Sequence, residues 1–125
     1  MSQLSNVEKY GLNKKLLVDI MNLLKKKDCI NFSVNENEID AYMVIYNHVK
    51  WLNKHNCLVL SKILYADNRL WSFSIGQPDF EEFYKISKNN FNLMNNFNKF
   101  KTMINIAGSF INLYTIANEI INKIK

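Results

Sequence analysis

Glycine and proline are scarce in this chain, with three Gly and one Pro among 125 residues. With so few breakers, helix should dominate, and stranded or irregular structure should be confined to a short region. Cysteine is nearly absent as well. Cys29 and Cys57 are too few and too isolated for a disulfide scaffold, and the N-terminus shows no signal-peptide pattern, so a reduced, cytoplasmic protein is expected. No apolar run approaches the roughly 18 residues that a membrane-spanning helix needs, so no membrane partner is expected. The phosphate-binding, dinucleotide, serine-hydrolase and zinc-protease patterns are also missing. Nucleotide and hydrolase chemistry therefore loses its usual support.

The remaining chemical candidates are weak. His48 and His55 fall on one predicted helix about two turns, or roughly 10 Å, apart, which is too far to share a metal. His55 and Cys57 straddle a helix exit, but two ligands without further His or Cys do not make a zinc site, and a Cys that opens a strand is more simply a core residue. Asp79, Glu81 and Glu82 have a sufficient structural reason as anions at a helix N-terminus. No catalytic residue, metal or cofactor is expected.

What is present is the composition of one folded domain: 48% hydrophobic and 22% charged residues, which is ordinary for a globular protein and argues against disorder. The net charge of +5 gathers at the ends, with six Lys in residues 1–31 and four in residues 99–125. Basic ends suit nucleic acid or an acidic protein surface, although Lys25, Lys26 and Lys27 equally suit a helix C-terminus.

Along the chain, Ser5 and Glu8 have capping-box spacing for a short helix, and Gly11 interrupts it. From Asn13, a good N-cap, Leu17, Ile20, Met21 and Leu24 recur at helical spacing and predict a helix to about Lys27. Cys29–Ser33 alternates like a small edge strand. Asn35 and Glu38 predict the start of a second helix that runs to Asn53 or His55, either unbroken or divided in two by a break near Asp40. On it, Tyr42, Ile45, Tyr46, Val49, Leu52 and Asn53 form a core stripe, while Val44, Asn47 and Trp51 lie almost opposite. Those three are covered by C-terminal helices or await a partner.

Leu58–Tyr65 then reads as a strand, Ala66–Arg69 as a turn and Leu70–Ile75 as a returning strand. Strict alternation places Trp71 with Phe73 and Ile75. Asp79 and Glu82 begin a further helix with Phe80, Phe83 and Tyr84 as its apolar positions. The Asn-rich stretch 89–98 keeps helical spacing through Leu93, Phe97, Phe100 and Ile104, and a break follows at Ala107, Gly108 and Ser109. A last helix from about Asn112 carries a stripe of Leu113, Ile116, Ala117, Ile120, Ile121 and Ile124, to be buried on the core or in a homodimer.

The fold class this implies is mostly α with a small antiparallel hairpin: a winged-helix-like core over residues 12–76, followed by C-terminal helices over 78–125, all in one domain. The motif H-V-K-W-L-N-K-H-N-C-L from His48 to Leu58, the hairpin, the D-F-E-E-F-Y-K-I helix and A-G-S-F before the last helix resemble small winged-helix proteins of phages and prophages. The YjcQ-like proteins and a neighbouring uncharacterised family are the nearest, over about residues 12–124. Asn56 stands where that family has Gly, and like Gly it accepts positive φ. The resemblance implies a winged helix in a mobile-element setting and transfers no site residues.

Two functions follow as expectations. The first is a regulatory protein that binds duplex DNA or a nucleoprotein complex through Lys50, Lys54, Lys62 and Arg69, the last at the hairpin tip. The second is a protein-interaction module that acts on a host complex as an inhibitor or adaptor, such as an anti-CRISPR or other anti-defence protein, through Val44, Asn47 and Trp51. Glu36, Glu38 and Asp40 at the start of the second helix weigh against DNA, because they would repel phosphates where a reading helix inserts.

Overall fold

The structure is a computed structural model that describes residues 12–94, 103–106 and 109–124. Four α-helices and two small antiparallel sheets make up the described residues: α1 (Lys14–Lys26), β1 (Cys29–Ser33), a single 3-10 turn (Glu36–Glu38), α2 (Ile39–Lys54), β2 (Val59–Ala66), β3 (Arg69–Gly76), α3 (Phe80–Met94), β4 (Met103–Ile106), β5 (Ser109–Asn112) and α4 (Leu113–Lys123). This is a small α+β fold. The three-stranded sheet runs β1-β3-β2, with the first strand beside the hairpin as a winged-helix-like core requires.

Short polar side chains start the helices. Asn13 Oδ1 accepts the Leu16 N–H at 3.0 Å, Asp79 Oδ1 accepts that of Glu82 at 3.0 Å, and Asn112 Oδ1 accepts that of Tyr114 at 2.9 Å. Each satisfies one of the donors that a helix start leaves open. Asn35 departs from expectation, because its Oδ1 accepts the Asn37 N–H at 3.0 Å and begins the 3-10 turn rather than the long helix. α2 itself starts at Ile39 without a side-chain cap.

The turns confirm the reading of Asn and Asp. Asp67 and Asn68 both have positive φ, 54° and 60°, as a two-residue hairpin turn of the primed type demands. Asn56 leaves α2 at φ 64°. Replacing it with Gly should change stability little, whereas Asn56→Val should cost about 1–2 kcal/mol, since a β-branched side chain resists this conformation. Urea unfolding midpoints would check the ranking.

α2 is the middle layer. One side meets the sheet: Phe73 stacks on Phe32 with ring centroids 4.8 Å apart and meets Tyr46 at 5.1 Å, and Ile30 and Ile75 extend the same buried face. The other side meets α1 and α4, whose Leu16, Leu17, Ile20, Leu113, Ala117 and Ile121 belong to the same core. Each apolar side chain withdrawn from water here contributes about 1.5–3 kcal/mol.

One expectation is corrected. α3 is continuous from Phe80 to Met94, and Ile104 lies in β4, which pairs with β5 as a second hairpin. The helical repeat thus holds through Leu93 but does not extend to Ile104, whose strand pairing decides its conformation. The helix expected from Ser5, and Phe97 and Phe100, lie outside the described residues. The stripe on α4 is buried against α1 and α2, with Leu113, Tyr114, Ala117, Ile120 and Ile121 all buried. Of the two expected uses of this stripe, burial on the core is the one observed. No described helix is long and apolar enough to cross a membrane.

Candidate interaction surface

Two irregularities in the hairpin decide which side chains reach solvent. Ser61 faces Ser74 and Leu64 faces Ser72, so β2 carries one extra residue between them; Tyr65 then faces Leu70, so the next extra residue, Trp71, is on β3. Lys62, at φ 52°, occupies the first bulge. Bulges re-aim side chains, and here they end the simple alternation. Leu70 turns inward to 2% exposure, and Trp71, expected beside Phe73 and Ile75, turns outward to 49%. Its indole N–H donates to the Ala66 carbonyl at 3.3 Å, which lays the ring across the turn end of β2.

β2 is an edge strand, and its large apolar side chains are exposed along its length: Val59, Ile63, Leu64 and Tyr65, with Leu64 at 61%. With Trp71 they form an apolar surface on the wing. Two contacts pin this edge to α2. Asn53 Oδ1 accepts the Leu60 N–H at 3.0 Å, and the Tyr65 hydroxyl donates to that of Tyr46 at 3.4 Å. The strand edge is therefore capped at Leu60 and broken at Lys62, as edges that avoid strand pairing are. The side chains, rather than the backbone ladder, are what the wing presents.

The residues expected to bind nucleic acid are not assembled on one reading helix. Lys50 lies over the Tyr46 ring, 5.4 Å from its centroid, and Lys54 is exposed at the end of α2. Lys62 is on β2. Arg69 sits apart from them, 3.7 Å from Glu36 in an exposed ion pair. Such a pair contributes at most about 1 kcal/mol, but it turns the guanidinium toward a carboxylate.

α2 is packed along most of its length, and every residue from Ile39 to Leu52 is at least partly buried. Of the expected partner-binding residues, Val44 is 1% exposed and belongs to the core, so it cannot meet a partner. Trp51 packs against the core and lies 4.3 Å from the His55 ring, and Asn47 is half-buried. Cover of this face by the C-terminal helix α4 was one of the two expectations; the part taken by α1 was not foreseen.

The two groups most open to a catalytic reading are held neutral. His48 is fully buried. Its Nε2 accepts the Asn13 N–H at 2.8 Å and its Nδ1–H donates to the Val44 carbonyl at 2.7 Å. Burial lowers its pKa to about 4, against a smaller opposing effect of the Val44 hydrogen bond. Cys57 is buried, and desolvation, with the charges of Glu82 and Asp79 behind it, pushes its thiol up to about 11. That is the wrong direction for a nucleophile. Among the described residues no group of three or more His, Cys, Asp or Glu is placed to hold a metal ion.

Ile63, Leu64, Tyr65 and Trp71 were missed as candidates. The signal was present in L-V-L-S-K-I-L-Y, where adjacent apolar residues on a strand cannot all point inward. Comparison with protein-family models, curated proteins and solved structures finds no match to this chain.

Proposed function

We propose that this chain is a non-catalytic protein-interaction module that docks on a partner protein through its wing. The observation that carries the reading is the exposure of five large apolar side chains, Val59, Ile63, Leu64, Tyr65 and Trp71, on a hairpin tied to α2 through Asn53 and Tyr46. Large apolar side chains left exposed on one element mark interaction sites, and Trp and Tyr are the side chains on which binding energy concentrates. DNA recognition through α2 is disfavoured by the burial of that helix. A regulatory role on a larger complex fits a small binding protein of this kind.

Two measurements test it. Immobilised full chain should retain partner proteins that the Leu64→Asp variant loses, because a carboxylate in the apolar cluster must be desolvated on docking. Labelled duplex DNA should not bind with strong salt dependence; affinity that falls steeply between low and moderate salt would mean that phosphate contacts dominate, and would overturn the reading.

A further inference from the structure

Charge around the wing narrows the kind of partner, and this step rests on the protein-docking reading above. From Ala41 to Pro78, which covers α2 after its first turn and the whole hairpin, the chain contains one carboxylate, Asp67, at the turn. The same stretch carries Lys50, Lys54, Lys62 and Arg69. Arg69 is answered by Glu36. The lysines are the cations that border the apolar cluster: Lys62 stands between Ser61 and Ile63 on the edge strand, and Lys54 follows Asn53, whose side chain holds Leu60.

From this geometry we infer that the wing takes an acidic, amphipathic protein segment, with apolar side chains on Leu64 and Trp71 and carboxylates facing Lys54 and Lys62. Opposite potentials across an interface steer encounter and select partners. Three other occupants fit less well. A second copy would bring the same lysines face to face, and like charges across an interface are costly. A nucleic acid would satisfy the lysines but leave Val59, Ile63 and Leu64, three aliphatic side chains, without a use, since single strands are held by aromatic stacking and phosphate contacts. An extended strand added to the β2 backbone is blocked at Leu60 by Asn53 and interrupted at Lys62.

The test uses the isotope-labelled full chain and three probes: a synthetic peptide alternating Leu and Glu, one of equal length alternating Leu and Lys, and a short oligonucleotide. The Leu–Glu peptide should move the amide resonances of Ser61–Ala66 and the Trp71 indole, and bind about tenfold more tightly than the Leu–Lys peptide at low salt. The preference should shrink as salt screens the charges. Because Lys54 and Lys62 are exposed, the double variant Lys54→Glu, Lys62→Glu should fold, and it should reverse the preference. Equal binding of both peptides, lost in Leu64→Asp, would overturn the charge assignment and leave the apolar docking site standing. Movement of the same resonances by the oligonucleotide alone would overturn both, and no movement with either peptide would overturn the acidic-segment assignment.

Discussion

His48→Phe is expected to lower the unfolding free energy by about 2–3 kcal/mol at neutral pH and to remove most of the acid sensitivity of the fold between pH 4 and 6.5. The first effect comes from the Asn13 N–H, which in the native protein donates to His48 Nε2 at 2.8 Å. Phe keeps an aromatic ring of similar bulk against Tyr114, whose ring meets His48 edge-on at 5.8 Å, but it offers no acceptor. A buried donor without a partner costs about 1–3 kcal/mol, and the Val44 carbonyl loses a second donor as well.

The acid sensitivity has a definite sign. In the folded chain His48 titrates at about 4, against 6.5 for an unperturbed imidazole. Between these values the unfolded chain binds a proton that the folded chain refuses. Stability from this residue is therefore fully present above pH 6.5, falls as pH drops through the window, and levels off below about 4. Its full size is about 3–4 kcal/mol, the gap multiplied by about 1.4 kcal/mol per pH unit. Protonation would also set an Nε2–H against the Asn13 N–H. Urea unfolding of the wild type and His48→Phe at pH 7 and pH 5 checks both parts. A wild-type stability that does not change across the window while the variant's matches it would show that His48 is not held neutral.

Phe73→Ala is expected to cost about 3–5 kcal/mol, the usual range for removing a buried aromatic ring. Phe73 is 1% exposed and joins the layers, stacked on Phe32 of β1 and tilted against Tyr46 of α2. The loss includes the transfer of the ring and the cavity left between sheet and helix, since neighbouring side chains collapse only in part. Phe73→Leu keeps much of the apolar volume and should cost roughly half as much or less. Many small domains have only about 5–15 kcal/mol of stability, so Phe73→Ala should leave the chain close to its unfolding midpoint at room temperature. The denaturation midpoint measures it directly. An Ala variant no less stable than the Leu variant would mean that the sheet is not anchored to α2 through this ring.

The second prediction bears on function because the wing is held by the same anchor. Phe73 is on β3 next to Ser72 and Trp71, and Tyr46, its neighbour on α2, is also the acceptor of the Tyr65 hydroxyl. Loosening this contact should blur the positions of Leu64, Tyr65 and Trp71. Partner binding in Phe73→Leu should thus weaken even though no docking residue changes.

Local chemistry explains what could be read from the chain alone. Asn13, Asp79 and Asn112 stop or start helices because a short polar side chain competes for the nearest backbone N–H. Asn56, Asp67 and Asn68 mark turns because they tolerate positive φ. The periodicity of Leu17, Ile20, Met21 and Leu24 identified α1, and the β-rich run around Leu60 and Phe73 identified the hairpin. These features depend on residues within a turn or a strand of one another, so the α+β class with a wing was legible. The stretch 103–106 was not, because so short a segment as M-I-N-I fits either a strand or the end of a helix, and its pairing with Ser109–Asn112 settles the matter.

Tertiary packing alone decided which apolar faces are covered. The side of α2 with Val44 and Trp51 meets α1 and α4, and the stripe of α4 is used in that contact. His48 changed from an isolated titratable residue to a buried hydrogen-bonding link once Asn13 came within 2.8 Å across 35 residues of sequence. Trp71 changed sides because a bulge on β3 breaks the two-residue alternation. The sequence by itself thus determined the elements and their turns, through interactions a few residues long. The free surface, and with it the candidate docking site on the wing, depended on long-range contacts and two register shifts, of which the local run L-V-L-S-K-I-L-Y carries only a trace.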